Sequence, residues 1–316
     1  KIASLPETPS QTKYPPLYSL YVSLAWHWNP NFPQNLAQAA LLNWLALAAA
    51  LCLSWNFFRQ CGITDSACAG ATAVLAVSPY LLLFGVSLFS EIFFTCLLLL
   101  VFLTWSRPGL GMAFLAGIAA AACYLTRTAA LPLVVAIPVH AYVKRDWRRG
   151  AAFLLAMLPA VIGWALWTRA NRIVTTEAAL VYYTDYLGFF LLNVGWDDIV
   201  TIARQNFDQL LYGIGSLLLP RVTAFPVVAI MTRMLGIGSC FAVFRLARRG
   251  VAVPYAFYSL AYGAILVIWH ATPTERFIIP LLPLLLAAVF MDGVEIFRAL
   301  LRKNRAEAGR SEEQTS

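Results

Sequence analysis

The chain has 316 residues, of which 60% are hydrophobic and only 12% are charged, and its mean hydropathy is +0.71. Soluble domains carry about 25% charged residues, so this composition excludes a water-soluble domain and predicts an integral membrane protein. The net charge of +8 does not indicate nucleic-acid binding, because the basic residues form short clusters between apolar runs, as the positive-inside rule describes.

The N-terminal part, residues 1–34, is predicted to be the remainder of an outer loop followed by an interfacial helix. Residues 14–28 begin with two prolines near the first helical turn and are rich in Tyr and Trp, which is typical of a helix lying at the membrane boundary. The opening stretch is polar and starts at Lys1, so we expect further sequence, including a membrane helix, to precede it.

Residues 35–301 contain a series of apolar segments that are long enough, or nearly long enough, to cross a bilayer. The predicted fold is an all-α polytopic membrane bundle with about nine transmembrane helices and the outer interfacial helix. The predicted spans are 35–58, 66–88, 91–105, 110–126, 128–143, 150–168, 226–244, 251–269 and 277–298.

The basic clusters orient this bundle. With nine spans, the clusters at 144–149, 245–249 and 298–310 all fall on one side, which the positive-inside rule assigns to the cytoplasm together with a disordered tail, 302–316. The opposite side receives residues 169–225, the only long connection, and we interpret residues 207–219 within it as an interfacial or re-entrant helix.

Three ionisable residues at the outer membrane boundary are the main functional candidates, because charge at membrane depth is costly. Glu91 is interpreted as a catalytic or substrate-orienting carboxylate, or as the first residue of a helix capped by Ser90. Arg127 and Arg276 are candidates for binding a phosphate. The alternatives are a snorkelling or structural partner of Glu91 for Arg127, and an interface anchor paired with Glu275 for Arg276.

Lys13 is a further candidate for a phosphate or lipid headgroup, with simple membrane anchoring as the alternative. Other candidates for substrate contact have ordinary alternatives as interfacial or solvated side chains; they are Tyr14, Asp185, His270 and Glu275. We predict no metal and no cofactor, because Asp197 and Asp198 lack a third ligand nearby and the six cysteines have no metal-binding spacing.

Four short motifs carry a family resemblance, and they occur in a fixed order over nearly the whole chain. They are Lys13-Tyr14-Pro15-Pro16-Leu17-Tyr18, Ser90-Glu91, Leu125-Thr126-Arg127, and Glu275-Arg276-Phe277 followed by Pro280 and Pro283. Together they resemble bacterial GT-C glycosyltransferases of the protein O-mannosyltransferase and aminoarabinose-transferase type.

The resemblance implies an enzyme of the bacterial inner membrane that transfers a sugar from a polyprenyl-phosphate donor to a lipid, glycan or protein acceptor on the periplasmic face. It implies donor phosphate binding by Lys13, Arg127 and Arg276. In that family the principal carboxylate lies in the first outer loop, and Glu7 does not match its motif. We therefore expect that base to be missing from this chain, with Glu91 as the leading carboxylate within it.

Two other classes of protein remain open. A transporter or flippase for lipid-linked glycans would also be polytopic, although transporters often contain internal repeats and we find none. An O-antigen ligase or polymerase-like enzyme would also have a large outer loop and arginines at the membrane boundary.

Overall fold

The computed structural model describes residues 10, 12–173, 175, 177–185, 188–190, 195–219 and 225–296. Within these ranges the chain forms helices and connecting turns, and no strand occurs there. The predicted tail at 302–316 and the carboxylate Glu7 lie outside the described residues. The predicted division into segments 1–34, 35–301 and 302–316 therefore stays a prediction.

The helices follow one another in chain order with short connections, except around residues 171–225. Their bounds are α1 (Leu17–Trp28), α2 (Leu36–Gln60), α3 (Asp65–Ala76), α4 (Pro79–Val86), α5 (Glu91–Trp105), α6 (Leu110–Thr126), α7 (Leu133–Val143), α8 (Trp147–Ala170), α9 (Ala178–Thr184), α10 (Trp196–Leu218), α11 (Pro226–Arg248), α12 (Val253–Val267) and α13 (Glu275–Ile296). Two 3₁₀ turns interrupt the helical runs, one at Thr128–Ala130 before α7 and one at Ile279–Leu281 inside α13.

The helix lengths bear directly on the predicted spans. Four helices, α2, α8, α11 and α13, are long and apolar enough to cross a membrane, and α3 with α4 would make a fifth if the pair, bent by 53°, is one span. The apolar helices α5, α6, α7 and α12 are shorter. The multi-pass helical architecture is confirmed, whereas the count of nine spans stays a prediction.

The predicted single span at 66–88 is broken in the middle. The chain leaves the helix at Val77 and Ser78 and re-enters it at Pro79. The residue before a proline is pushed out of the helical region by the proline ring, and Ser78 has an extended ψ of 120°. The sequence therefore contained the reason for the break, although hydropathy alone joined the two halves.

The two helices predicted at the membrane boundary are also present. α1 starts directly after Pro15 and Pro16 and packs on α2, and it leaves large apolar side chains such as Leu20 and Trp28 exposed. The helix predicted at 207–219 is longer than expected, because α10 begins at Trp196. It packs on α11 and α12. It has one polar and one apolar face, as interfacial helices do.

Small residues bring neighbouring helices into close contact. A Cβ atom added at Gly215 of α10 would lie 1.8 Å from the carbonyl oxygen of Thr232 in α11, and one added at Gly117 of α6 would lie 2.4 Å from that of Phe153 in α8. Such close approach is a common way to pack helices in a membrane, where burial of apolar surface provides little driving force. It brings α6 against α8 and α10 against α11, and α5 also packs on α6.

Candidate functional site

The structure brings Glu91, Arg127 and Arg276 together at one end of the bundle. Glu91 is the first residue of α5, Arg127 follows the last residue of α6 in an extended conformation, and Arg276 lies in the first turn of α13. Arg127 Nη1 and Arg276 Nε both donate to the same carboxylate oxygen, Glu91 Oε1. A single carboxylate therefore bridges two guanidinium groups from different helices.

This cluster has more positive charge than it can neutralise internally. Glu91 is completely buried, and its second oxygen, Oε2, has no hydrogen-bond partner among the described residues. The Arg276 side chain is 35% exposed and Arg127 is 16% exposed. Neither Nη atom of Arg276 bonds to a described residue, so both remain able to donate to a ligand.

The surroundings of the two arginines are mostly apolar. The Arg276 guanidinium lies 4.0 Å from the ring centroid of Phe89, and that of Arg127 lies 5.7 Å from the ring of Phe277. Ser90 accepts a weak hydrogen bond of 3.5 Å from Arg127 and makes no helix-capping bond. Ser90 therefore occupies the N-cap position of α5 with Glu91 in the first turn, as the alternative expected, but its side chain does not cap the helix. The alternative that made Arg127 a partner of Glu91 describes the observed contact.

Lys13 lies beside this cluster in an aromatic environment. Its Nζ atom is 3.1 Å from the ring centroid of Tyr182 and 5.2 Å from that of Tyr14. Burial, followed by the nearby charge of Arg276, lowers the pKa of Lys13 to about 8. Thr12, one residue earlier, donates through its hydroxyl to the carbonyl of Thr184 at 2.7 Å, which joins this segment to α9.

Tyr14 and His270 belong to the same surroundings. Burial raises the pKa of Tyr14, with further contributions from neighbouring tyrosines. Burial and the charge of Lys13 lower the pKa of His270, which favours its neutral form. Both predicted substrate contacts therefore lie near Lys13.

The other two predicted substrate contacts have protein partners. Glu275 accepts a hydrogen bond of 3.1 Å from the hydroxyl of Ser216 in α10. The alternative in which Glu275 pairs with Arg276 is wrong, because the carboxylate that Arg276 contacts is Glu91. Asp185 forms an ion pair of 2.6 Å with Arg172 and accepts the backbone N–H of Gly188, so its carboxylate holds the turn after α9.

Sequence reasoning missed a polar residue next to the site. Asn43 of α2 is completely buried, and its Oδ1 accepts a hydrogen bond of 3.1 Å from the Tyr18 hydroxyl. Burial is the main reason that the pKa of Tyr18 rises to about 12, and the nearby charge of Glu91 adds to it. An Asn within the long apolar stretch of α2 was the available signal, because a polar side chain at membrane depth needs a partner.

Three tyrosines of α12 were also missed. Tyr255, Tyr258 and Tyr262 are buried on one face, and each donates a hydrogen bond to a backbone carbonyl of a neighbouring helical run. Their spacing of three and four residues was the signal in the sequence.

Comparison with known proteins finds a solved structure with a similar fold, but it assigns the chain to no family. No protein-family model and no curated protein matches the chain. Its structure is similar to the crystal structure of ArnT from Cupriavidus metallidurans in the apo state, with a TM-score of 0.55 and 17% sequence identity over 90% of this chain. The chain spans about half the length of ArnT, since 50% of that protein is covered. This similarity confirms an ArnT-like fold for the described helices.

Proposed function

We propose that the chain is a membrane glycosyltransferase of the GT-C type, which takes a sugar from a polyprenyl-phosphate donor at the outer face of a bacterial inner membrane. The observation that carries the proposal is the carboxylate of Glu91 bridged by Arg127 and Arg276, with Lys13 beside them. The ArnT-like fold adds support from a separate direction.

The three cations suit the departing phosphate. In sugar transfer, the bond between the anomeric carbon and the phosphate oxygen breaks, and its electron pair stays on the phosphate. The lipid phosphate therefore gains negative charge as the sugar leaves. Donors already in place near that charge stabilise the transition state. Among the described residues, neither Nη atom of Arg276 has a hydrogen-bond partner, so both can donate to the phosphate. Arg127 and Lys13 supply the other two cations at the same end of the bundle.

Glu91 fits an orienting role better than that of a general base. Its Oε1 already accepts from two guanidinium groups and its side chain is completely buried, so an acceptor hydroxyl has no direct access to it. The acceptor hydroxyl must lose a proton as it attacks the anomeric carbon. The resemblance implies that this base lies in the family's first outer loop. In this proposal Glu91 therefore orients Arg127 and Arg276, and the prediction that Glu91 acts as the base is set aside.

The remaining predicted contacts divide into two groups. Tyr14 and His270 lie beside Lys13, and in this proposal they contact the sugar of the donor. Asp185 and Glu275 act indirectly in this proposal, because their carboxylates bond to Arg172 and Ser216.

The test measures binding of farnesyl phosphate to the purified chain in lipid nanodiscs. Removing a charge-assisted contact to a buried anion costs about 2–5 kcal/mol. Arg276→Ala is therefore expected to weaken binding of farnesyl phosphate by about 30-fold or more. Arg233→Ala is the matched control, because Arg233 is also 35% exposed but forms its ion pair with Asp208. Equal affinity of Arg276→Ala and wild type, or equal binding of uncharged farnesol, contradicts the proposal.

A flippase for lipid-linked glycans is the second candidate. The bend of 53° between α3 and α4 and the two 3₁₀ turns are broken helical runs of a kind that transporters contain. Reconstituted vesicles separate the two functions. A transferase moves the sugar to an acceptor with the lipid phosphate left behind, whereas a flippase moves the intact donor across the bilayer.

A further inference from the structure

The tyrosines of α12 form a ladder on one side of that helix. Tyr255, Tyr258 and Tyr262 are 0%, 0% and 3% exposed, and the rings of Tyr258 and Tyr262 stack with centroids 5.7 Å apart. A buried tyrosine hydroxyl normally requires a hydrogen-bond partner. Nothing in the proposed reaction uses these hydroxyl groups, so their partners indicate a different role.

Each hydroxyl donates to a backbone carbonyl in or next to one of the two 3₁₀ turns. Tyr258 reaches the turn before α7 and Tyr262 reaches the start of α13, both at 3.0 Å, and Tyr255 reaches the turn inside α13. The receiving carbonyls belong to Ala129, Phe277 and Pro280, respectively.

These three carbonyls share a feature of the sequence. Each lies three residues before a proline, and these prolines are Pro132, Pro280 and Pro283. In a 3₁₀ turn, a carbonyl bonds to the N–H three residues further on, and proline has no N–H. Each tyrosine hydroxyl thus supplies the donor that the proline cannot. Within a bilayer such replacement is needed, because water is not available to bond a freed carbonyl.

Two of the receiving carbonyls adjoin the arginines of the site. Ala129 is two residues after Arg127, and Phe277 directly follows Arg276. We propose that Tyr258 and Tyr262 are positioning residues, which fix Arg127 and Arg276 relative to one another by holding both backbone breaks on the single helix α12. The choice of phosphate as the ligand rests on the proposed function, whereas the positioning itself does not.

The geometry explains why one helix can serve both arginines. Tyr258 and Tyr262 are four residues apart, so they lie on the same face with a rise of about 6 Å between them. Arg127 and Arg276 come from runs that are 149 positions apart in the chain yet must reach the same oxygen of Glu91. Without α12 as a shared support, the backbone around the turn at Thr128–Ala130 and the backbone at the start of α13 could shift independently of each other.

The binding test compares three Tyr→Phe variants of the full chain, since each removes one hydroxyl and keeps the ring. Tyr258→Phe and Tyr262→Phe are expected to weaken farnesyl phosphate binding about 3- to 10-fold, the effect of losing one hydrogen bond. Tyr255→Phe is the matched control, because it contacts a carbonyl four residues beyond Arg276 and is expected to bind within about 2-fold of wild type. Equal loss of affinity in all three variants, or none in any, overturns the proposal.

A second measurement does not depend on the ligand. Amide hydrogen exchange is expected to increase at 127–131 in Tyr258→Phe and at 276–279 in Tyr262→Phe, with Tyr255→Phe affecting only residues after 280. Unchanged exchange at both arginine segments overturns the positioning role whatever the binding result. If Arg276→Ala leaves farnesyl phosphate binding intact while these exchange changes occur, the proposed function fails and the positioning role stands.

Discussion

The two ends of the bundle use arginine in different ways. At the end predicted to be cytoplasmic, Arg245 and Arg249 meet two carboxylates, with Arg245 Nε 2.8 Å from Asp292 and Arg249 Nη2 2.6 Å from Glu295. At the opposite end, Arg127 and Arg276 share the single carboxylate of Glu91. The balanced set ties α11 to α13, whereas the unbalanced set has positive charge left for a ligand.

Exposure sharpens this difference. Arg245 and Glu295 are about half exposed, so solvent screens their ion pairs and limits what they add to stability. Glu91 is fully buried, and its Oε2 has no partner among the described residues. A buried carboxylate with an unsatisfied oxygen costs stability, and an unsatisfied buried polar atom in a folded protein needs an explanation, of which a ligand-binding role is one.

The largest expected effect comes from Glu91→Gln. This change leaves two guanidinium groups beside a neutral amide, and losing one partner of a buried charge pair typically costs about 3–5 kcal/mol. Thermal unfolding in nanodiscs measures the loss. Farnesyl phosphate is expected to stabilise Glu91→Gln more than wild type, because its phosphate supplies the missing negative charge. Equal stabilisation of both proteins would mean that the arginines do not contact the ligand.

An intermediate effect is expected from pH. The pKa of Lys13 is lowered to about 8, so Lys13 is cationic below that pH and becomes neutral above it. Binding of farnesyl phosphate should therefore weaken about 10-fold as the pH rises from 7 to 9, the loss of one charge-assisted contact. Lys13→Arg keeps its charge across this range and should remove the step. An equally large loss of affinity between pH 7 and pH 9 in Lys13→Arg would show that a group other than Lys13 titrates.

The smallest effect is expected at the balanced end. Glu295→Gln removes a carboxylate that is 52% exposed, and exposed ion pairs contribute about 0–1 kcal/mol. The unfolding temperature should change little, and farnesyl phosphate should stabilise this variant as much as wild type. A loss as large as that of Glu91→Gln would show that the two ends do not differ in the way their charges suggest.

Some of this arrangement could be predicted from the sequence. Apolar runs located most of the apolar helices within a few residues, because hydropathy is a local property, although the run at 66–88 joined α3 and α4. The same reasoning placed Glu91, Arg127 and Arg276 at one level of the membrane, since each adjoins the end of an apolar run. The single proline that separates α3 from α4 was a local signal too, but the mean hydropathy of the run concealed it.

The pairing inside the site could not be predicted in the same way. Glu91 and Arg276 are 185 positions apart, and their contact depends on how α5 and α13 pack. Glu275 was the nearer carboxylate in sequence, yet the start of α13 directs it towards Ser216 of α10. The three tyrosines of α12 were missed for a related reason. Tyrosines spaced three or four residues apart are typical of any buried helix face, and their hydrogen-bond acceptors depend on how the helices pack.

The short helices have a consequence for the surrounding lipid. α5 and α12 have 15 residues each, or about 22 Å of helix, against a hydrocarbon thickness of about 30 Å. A bilayer meets short hydrophobic segments by thinning, at a cost of fractions of a kcal/mol per Å of mismatch. Under the proposed function, thinning beside α12, whose Leu260 is exposed, would bring the headgroup layer closer to the end of the bundle that carries Glu91 and its two arginines. A donor phosphate would then reach the arginines while its hydrocarbon tail stays in the bilayer, and the donor would find the site by diffusion in two dimensions.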